Sequence, residues 1–85
     1  MEVNVISASK QVVSSNTISV VTVPTTVGIV QIMEDHTGLI SEIAAGEISV
    51  QEADNSVRKF FVSGGYLHVD SNKVVVLVDD VEETK

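Results

Sequence analysis

The sequence predicts an all-β fold, a two-sheet β-sandwich of about eight to ten short strands. Its apolar residues are mainly valine and isoleucine, whereas aromatic residues are only 4% of the chain, and β-branched residues favour strands. Turn residues interrupt the apolar runs at short, regular intervals, which is typical of a two-sheet sandwich or a closed sheet. No window has a helical period, and we expect residues 1–85 to form a single domain.

The first half of the chain contains five apolar runs that predict strands. Proline cannot donate to a β-ladder, so we expect Pro24 to end the third of them. The fifth run is too short for periodicity alone to distinguish a strand from a helix. The predicted strands cover residues 3–8, 11–13, 17–23, 28–33 and 39–43.

The second half begins with a clear alternation, in which Ile48 and Val50 share one face of a strand over residues 47–51. We expect residues 57–62 and 66–70 to pair as a β-hairpin, because glycine in the break between them can adopt the positive φ of a tight turn. The predicted structural turn consists of Ser63, Gly64 and Gly65.

Two further segments complete the strand prediction. A turn over residues 70–73 precedes the apolar run 74–78, which should be buried on both faces or covered by a partner. The acidic tail, residues 79–85, is expected to fray. Residues 51–56 are the one stretch where a helical turn would not be surprising.

Charge and composition exclude several classes of function. The net charge is −7 with only five basic residues, so phosphate backbones and anionic lipid surfaces should be repelled. No apolar stretch approaches the roughly 20 residues of a membrane span, and we expect no direct membrane insertion. The chain has no cysteine, which favours a setting that does not depend on disulfides.

Groups that could support catalysis are few, and we expect a chain with no catalytic residues, no metal site and no cofactor. Neither His36 nor His68 belongs to a recognisable nucleophile motif. The adjacent residues 34–36 rarely converge on a metal without a further ligand. The Gly pair at 64–65 precedes no helix that could hold a phosphate.

The strand over residues 28–33 leaves two interpretations open. Its apolar side chains could all enter the core, or one side of the strand could form a docking face, because a small sandwich cannot bury both sides of every strand. The residues concerned are Ile29, Val30, Ile32 and Met33.

Three segments of the chain match a family pattern in order and spacing. Residues 28–48 resemble G-x-x-G-I-x-x-x-H-x-P-L-L-x-x-I-x-P-G-x-I, residues 61–69 resemble F/Y-V/L-S-G-G-x-L-x-V, and residues 72–79 resemble N-x-V-x-V-L-A-D. On these motifs the chain resembles the N-terminal β-sandwich domain of the epsilon subunit of rotary (F-type) ATP synthases, which is called delta in mitochondria. The departures are Gln31 for the second Gly, Glu34-Asp35 for the Pro-Gly of bacterial members, and Gly38 and Ala45 for two prolines. The C-terminal helical hairpin usual in that family is expected to be absent.

The resemblance implies a non-catalytic subunit of the central stalk that binds the gamma subunit and the ring of c subunits and couples proton-driven rotation to ATP synthesis. It implies a gamma-subunit interface at His36, Thr37, Leu39 and Ile40. It implies a c-ring interface at Thr25, Thr26, Val27, Gly28, Ile29, Val30, Ile32 and Met33. In bacterial members ATP binds through the helical hairpin, so no nucleotide binding is expected.

The resemblance also bears on location. Residues 23–25 and 59–65 look more like the mitochondrial branch of the family, which implies the matrix side of the inner membrane and the small mitochondrial epsilon subunit as a further partner. The alternative is the cytoplasmic face of a bacterial inner membrane.

Two rival interpretations remain open. A lipoyl or biotinyl carrier domain is also a small acidic sandwich and would carry its group on Lys73 at a turn, but the usual flanking residues are missing. A generic ligand-binding or adhesion sandwich is the other rival, and the lack of cysteine does not favour an extracellular one.

Overall fold

Ten β-strands form the regular structure of the part of the chain that a computed structural model describes, namely residues 1–8, 11–34 and 38–84. This count is at the upper end of the expected range. The strands are β1 (Glu2–Ser7), β2 (Gln11–Ser15), β3 (Ile18–Thr25), β4 (Gly28–Met33), β5 (Leu39–Ile43), β6 (Gly46–Glu52), β7 (Val57–Val62), β8 (Gly65–Asp70), β9 (Lys73–Val78) and β10 (Val81–Thr84).

The strands form one continuous curled sheet in the order β10-β7-β6-β3-β5-β8-β9-β1-β2, with β4 on the other edge of β3. Strands β3 and β5 pair only at Thr25 and Ile43, where the sheet turns a corner. We call the half β10-β7-β6-β3-β4 sheet A and the half β5-β8-β9-β1-β2 sheet B. Their inner faces share one apolar core, and the predicted all-β sandwich is confirmed.

The core follows from strict alternation along the strands, because successive side chains point to opposite faces of a sheet. In β6 the alternation buries Ile48 and Val50, as the sequence predicted. Each fully buried side chain of this size contributes roughly 1.5–3 kcal/mol of hydrophobic stabilisation. The largest fully buried side chains are Phe60, Ile18, Ile32, Ile48 and Leu67.

The apolar run in β9 is buried on one face only. Val74, Val76 and Val78 lie in the core, whereas Val75 is half-buried and Leu77 is 48% exposed. Of the two expected alternatives, burial on both faces within the chain is therefore not met, and coverage by a partner stays a prediction. The outer side of β9 is left to solvent or to a partner.

The expected hairpin between residues 57–62 and 66–70 does not form. Strand β7 pairs with β6 and β10 in sheet A, and β8 pairs with β5 and β9 in sheet B. Residues 63–64 instead carry the chain from one sheet to the other, and the backbone N–H of Asp79 donates to the carbonyl of Gly64 at 3.3 Å. Glycine is required here for close approach, since a Cβ on Gly65 would overlap the Leu77 carbonyl oxygen.

Pro24 does not end β3, which runs on to Thr25. The nitrogen and carbonyl of one strand residue point to the same side, and the Pro24 carbonyl accepts from the N–H of Ala44 on the β5–β6 side. On that side β3 changes its pairing partner from β6 to β5. The N–H that Pro24 lacks would lie in this gap between the two ladders, so proline removes no regular hydrogen bond.

Residues 81–84 of the tail do not fray as expected but form β10, which pairs with β7, whereas Lys85 lies outside the described residues. Arg58 on β7 makes two hydrogen bonds to the Glu83 carboxylate, at 3.0 and 2.9 Å, and its guanidinium lies 5.1 Å from the centre of the Phe60 ring. The carboxylate raises the pKa of Arg58 above its ordinary value.

Two turn predictions have definite outcomes. The turn after β8 is confirmed as a two-residue β-hairpin, in which Asp70 pairs with Lys73, and Ser71 and Asn72 have φ values of 48° and 63°. Residues 53–54 make a turn between β6 and β7, and no helix forms there.

Candidate docking surfaces

The end of the β3–β4 hairpin, residues 25–29, which we call the tip, lies at the corner of the sandwich, where β3 meets β5. The buried Thr25 hydroxyl braces it from inside, because it donates to the Gly28 carbonyl at 2.5 Å and accepts from the Val27 N–H at 3.3 Å. Gly28 has a φ of 127°, which residues with a Cβ rarely adopt. The tip is therefore held in a defined shape.

The tip exposes the two most accessible large apolar side chains of the described residues, Val27 at 88% and Ile29 at 78%. Of the residues assigned to a c-ring interface, Thr26, Gly28 and Met33 are also exposed. Thr25 and Ile32 are buried and Val30 is half-buried, so they support the surface from inside. The strand thus enters the core on one side and presents apolar side chains on the other.

The outer face of sheet B carries a second apolar surface, which we call the sheet B face. Cross-strand pairing places Ile40, His68 and Val75 in one row. A second row consists of Glu42, Tyr66, Leu77 and Ile6. Ile40 is 76% and Tyr66 60% exposed, and a groove of about 480 Å³ runs beside Tyr66 and Leu77.

The residues assigned to a gamma interface have different positions. Ile40 lies on the sheet B face, whereas Leu39 points inward and packs against the core. His36 and Thr37 lie outside the described residues. The sequence analysis missed Tyr66, Leu77 and Ile6, although alternation within β1, β8 and β9 would have marked all three as outward-facing.

Charged groups border the apolar part of the sheet B face. Glu42 and Asp79 lie at one end of the groove. Outside the groove, at the β8–β9 hairpin, Asp70 pairs with Lys73, and the Lys73 ammonium lies 3.8 Å from the Glu2 carboxylate. An apolar centre with a charged rim is the usual arrangement of a protein–protein contact surface.

Polar side chains at the turn between β6 and β7 hydrogen-bond within the turn. The Ser56 hydroxyl and backbone N–H donate to the Asp54 carboxylate and lower its pKa. Among the described side chains, no group of three His, Asp or Glu residues is arranged to hold a metal ion. No helix in that part of the chain is long and apolar enough to cross a membrane.

Comparison with known proteins identifies relatives for the chain. A family model described as the ATP synthase delta/epsilon chain, beta-sandwich domain, matches residues 1–84. The ATP synthase epsilon chain of Nitrosococcus oceani is 35% identical over 82 residues, which are 96% of this chain and 58% of that protein. The corresponding chain of Polynucleobacter necessarius is 33% identical and covers all of this chain, which spans 65% of it.

Solved structures agree on the fold. A chain in the mitochondrial ATP synthase of Euglena gracilis, in a structure of OSCP, F1 and the c-ring, superposes with a TM-score of 0.93 at 15% identity. The alignment covers 98% of this chain and 52% of that one. A chain in the central stalk and c-ring structure of the Tetrahymena thermophila enzyme gives a TM-score of 0.85 at 20% identity, with coverage of 96% and 65%. The family model, matched over nearly the whole length, is the decisive finding. The chain belongs to the beta-sandwich family of the ATP synthase delta/epsilon chain.

Proposed function

We propose that this chain is a non-catalytic subunit of the central stalk of an F-type ATP synthase. In this role it binds the gamma subunit and the c-ring and couples proton-driven rotation to ATP synthesis. The observation that carries the proposal is the presence of two separate exposed apolar surfaces, the tip and the sheet B face, on one closely packed body. Membership of the family, and the presence of a superposed chain in a structure of a central stalk and c-ring, support these two partners.

The tip is proposed as the c-ring contact. Val27 and Ile29 extend from a hairpin that Thr25 braces, so they can bury apolar area against a partner without much loss of conformational freedom. The exposed residues Thr26, Gly28 and Met33 complete this surface.

The sheet B face is proposed as the gamma contact, centred on Ile40, Tyr66 and Leu77. Aromatic and aliphatic side chains at the centre of a contact surface supply most of its binding energy, whereas a charged rim sets orientation and association rate. Leu39 contributes from inside by packing against the core. The proposed contact includes His36 and Thr37, which follow from the family resemblance alone.

The core suits a mechanical part. Interiors packed as closely as organic crystals deform little under load, so two surfaces joined through such a core move together. Rotation of one partner would then be passed to the other through the sandwich. No bound nucleotide is needed for this role.

The proposal also covers the location of the chain in the cell and its domain organisation. We place the chain at the matrix side of the mitochondrial inner membrane, on the sequence features of residues 23–25 and 59–65, with the cytoplasmic face of a bacterial inner membrane as the alternative. The curated relatives named above are bacterial, which favours the alternative, whereas the superposed structures are mitochondrial. We take residues 1–85 as one domain, and we propose the small mitochondrial epsilon subunit as a further partner of the mitochondrial form.

The test is binding of the purified chain to its two partners separately. We expect Ile40→Asp to weaken binding to purified gamma subunit by about tenfold or more, because it places a charge in an apolar contact. We expect Val27→Asp to weaken binding to purified c-ring to a similar extent and to leave gamma binding unchanged. Val57→Asp, at a 48% exposed site on sheet A, is the matched control and should affect neither.

The outcome against the proposal is equally definite. If the folded chain binds neither partner, or if Val57→Asp weakens binding as much as the other two variants, the assignment of the two surfaces fails. The mass of the native chain tests the rival interpretation as a lipoyl or biotinyl carrier domain, because such a domain would carry a modified Lys73.

A further inference from the structure

The outer face of sheet A contains an exposed aromatic ring between two carboxylates. Phe61 on β7 is 55% exposed and points away from the core. Its partner on one side is Glu47 of β6, and its partner on the other side is Glu82 of β10. We call these three residues the Phe61 patch, and it lies outside both the tip and the sheet B face.

The surroundings of the patch are predominantly acidic. A shallow pocket of about 340 Å³ joins Phe61 to Asp80, Val81 and Glu82. Lys59 is the basic residue on this face, two positions along β7 and opposite Ser49. Within the described residues, neither Glu47 nor Glu82 takes part in a salt bridge, so their charges are not neutralised there.

On the inner side of β7 and β10, a phenylalanine paired with a glutamate binds an arginine side chain. There Phe60 pairs across the ladder with Glu83, just as Phe61 pairs with Glu82. Arg58 completes the inner arrangement, with two hydrogen bonds to Glu83 and its guanidinium 5.1 Å from the centre of the Phe60 ring. The Phe61 patch repeats this pairing of phenylalanine and glutamate on the outer side without an arginine.

Residues 1–85 offer no second arginine for the patch, because Arg58 is the only one among them. We propose that the Phe61 patch binds an arginine side chain of a partner protein, presented by a basic segment that lies across the outer face of sheet A. The guanidinium would stack on the Phe61 ring and donate hydrogen bonds to Glu47 and Glu82. Arginine fits better than lysine because its planar group can stack and reach a carboxylate with two donors at once.

The charge of the chain supports a protein as the occupant. With a net charge of −7, the chain repels nucleic acids and anionic lipid surfaces. A basic protein segment is attracted by the same field, which speeds association and selects against acidic competitors. The proposal does not depend on gamma or c-ring binding, since it uses a different face.

The test is an NMR titration of the full-length ¹⁵N-labelled chain with two synthetic peptides of roughly a dozen residues. The first alternates arginine with threonine, and the second has citrulline, which is neutral but similar in shape, at every arginine. We expect the arginine peptide to shift the backbone amides of residues 47, 61 and 82 most strongly. The citrulline peptide should bind at least about fivefold more weakly, because it lacks the charge that the carboxylates and ring recognise.

Variants localise the site. Phe61→Ser and the double variant Glu47→Gln/Glu82→Gln should each weaken binding of the arginine peptide by about fivefold, whereas Val57→Ser on the same face should not. Equal binding of the two peptides, or strongest shifts outside the patch, overturns the proposal. If Phe61→Ser does not fold, the comparison of peptides and the Gln variants, which keep the ring, still decide the question.

Discussion

The passage from β7 to β8 makes Gly65 the most tightly packed of the described glycines, and its replacement by alanine tests this arrangement. A Cβ at Gly65 would overlap the Leu77 carbonyl oxygen and lie 2.8 Å from the Val78 Cα. Both contacts are with backbone of β9, so no side chain can rotate out of the way. Either β8 moves away from β9 or the connection between the sheets is distorted.

The size of the effect can be estimated from two contributions. Forcing an extra methyl group into a well-packed region costs about 1–3 kcal/mol or more. The φ of 157° at Gly65 adds strain, and residues held in sparsely populated conformations cost about 1–3 kcal/mol. A domain of this length has a total stability of roughly 4–13 kcal/mol. Gly65→Ala should therefore remove a large part of it.

The assay is thermal and urea unfolding followed by far-UV circular dichroism. At about 4–8 °C per kcal/mol for a domain of this size, Gly65→Ala should lower Tm by about 10 °C or more. Two alanine variants serve as controls. Gly28→Ala has nothing within 4 Å of its new Cβ and a φ of 127°, so it should show the backbone cost alone. Gly38→Ala meets only the Val69 carbonyl, at 3.6 Å, and should stay within about 0.5 kcal/mol of the unaltered chain.

The ranking of the three variants decides the matter. If Gly65→Ala is no less stable than Gly28→Ala, the close approach of β8 to β9 at this point does not exist, and the passage between sheets described above is wrong.

Three further predictions concern single contacts. Arg58→Met should lower the free energy of unfolding, measured by urea titration, by less than about 1 kcal/mol, because the side chains of Arg58 and Glu83 are both over 40% exposed. A loss of several kcal/mol would mean that solvent does not screen this pair. Pro24→Ala should lower the free energy of unfolding by about 0.4–1 kcal/mol through greater freedom of the unfolded chain, whereas a gain in stability would show that the missing N–H interrupts the ladder. Ser56→Ala should raise the pKa of Asp54 towards its ordinary value of 3.8, as followed by NMR titration of the carboxyl. Because the pKa is lowered in the folded chain, this contact stabilises the fold above the ordinary pKa, and its contribution is lost as the pH falls through the folded-state value; an unchanged pKa in the variant would contradict the assignment.

Much of the local structure could be predicted because it depends on side-chain alternation and turn residues alone. Strand β6, with Ile48 and Val50 inward, and the two-residue turn at Ser71 and Asn72 follow from period two and from tolerance of positive φ. The family pattern was visible because several motifs occur in order, and the family model matches residues 1–84.

The predictions that were wrong are those that required knowing which strands pair with each other. Residues 57–62 and 66–70 have every local feature of a β-hairpin, yet the Gly64–Gly65 segment joins two different sheets. Pro24 was expected to end a strand, but its nitrogen faces a gap between β6 and β5. The tail was expected to fray, but Arg58 and Glu83 help to hold it on β7.

The docking surfaces depended on tertiary structure even more. The family resemblance assigned contacts to residues within two contiguous segments, 25–33 and 36–40. The sheet B face instead gathers Ile6, Ile40, Tyr66 and Leu77 from four strands. The Phe61 patch likewise gathers residues from three strands, since Glu47 and Glu82 lie 14 and 21 positions away from Phe61 in the chain.

By itself, the sequence determined most of the strand segments and, where alternation is clear as in β6, which side of the strand is apolar, because both depend on neighbours within a few positions. Only the tertiary structure decided which strands pair, which turn changes sheets, and which exposed side chains share a surface. Cross-strand neighbours are set by register between segments distant in the chain, and no local pattern encodes that register.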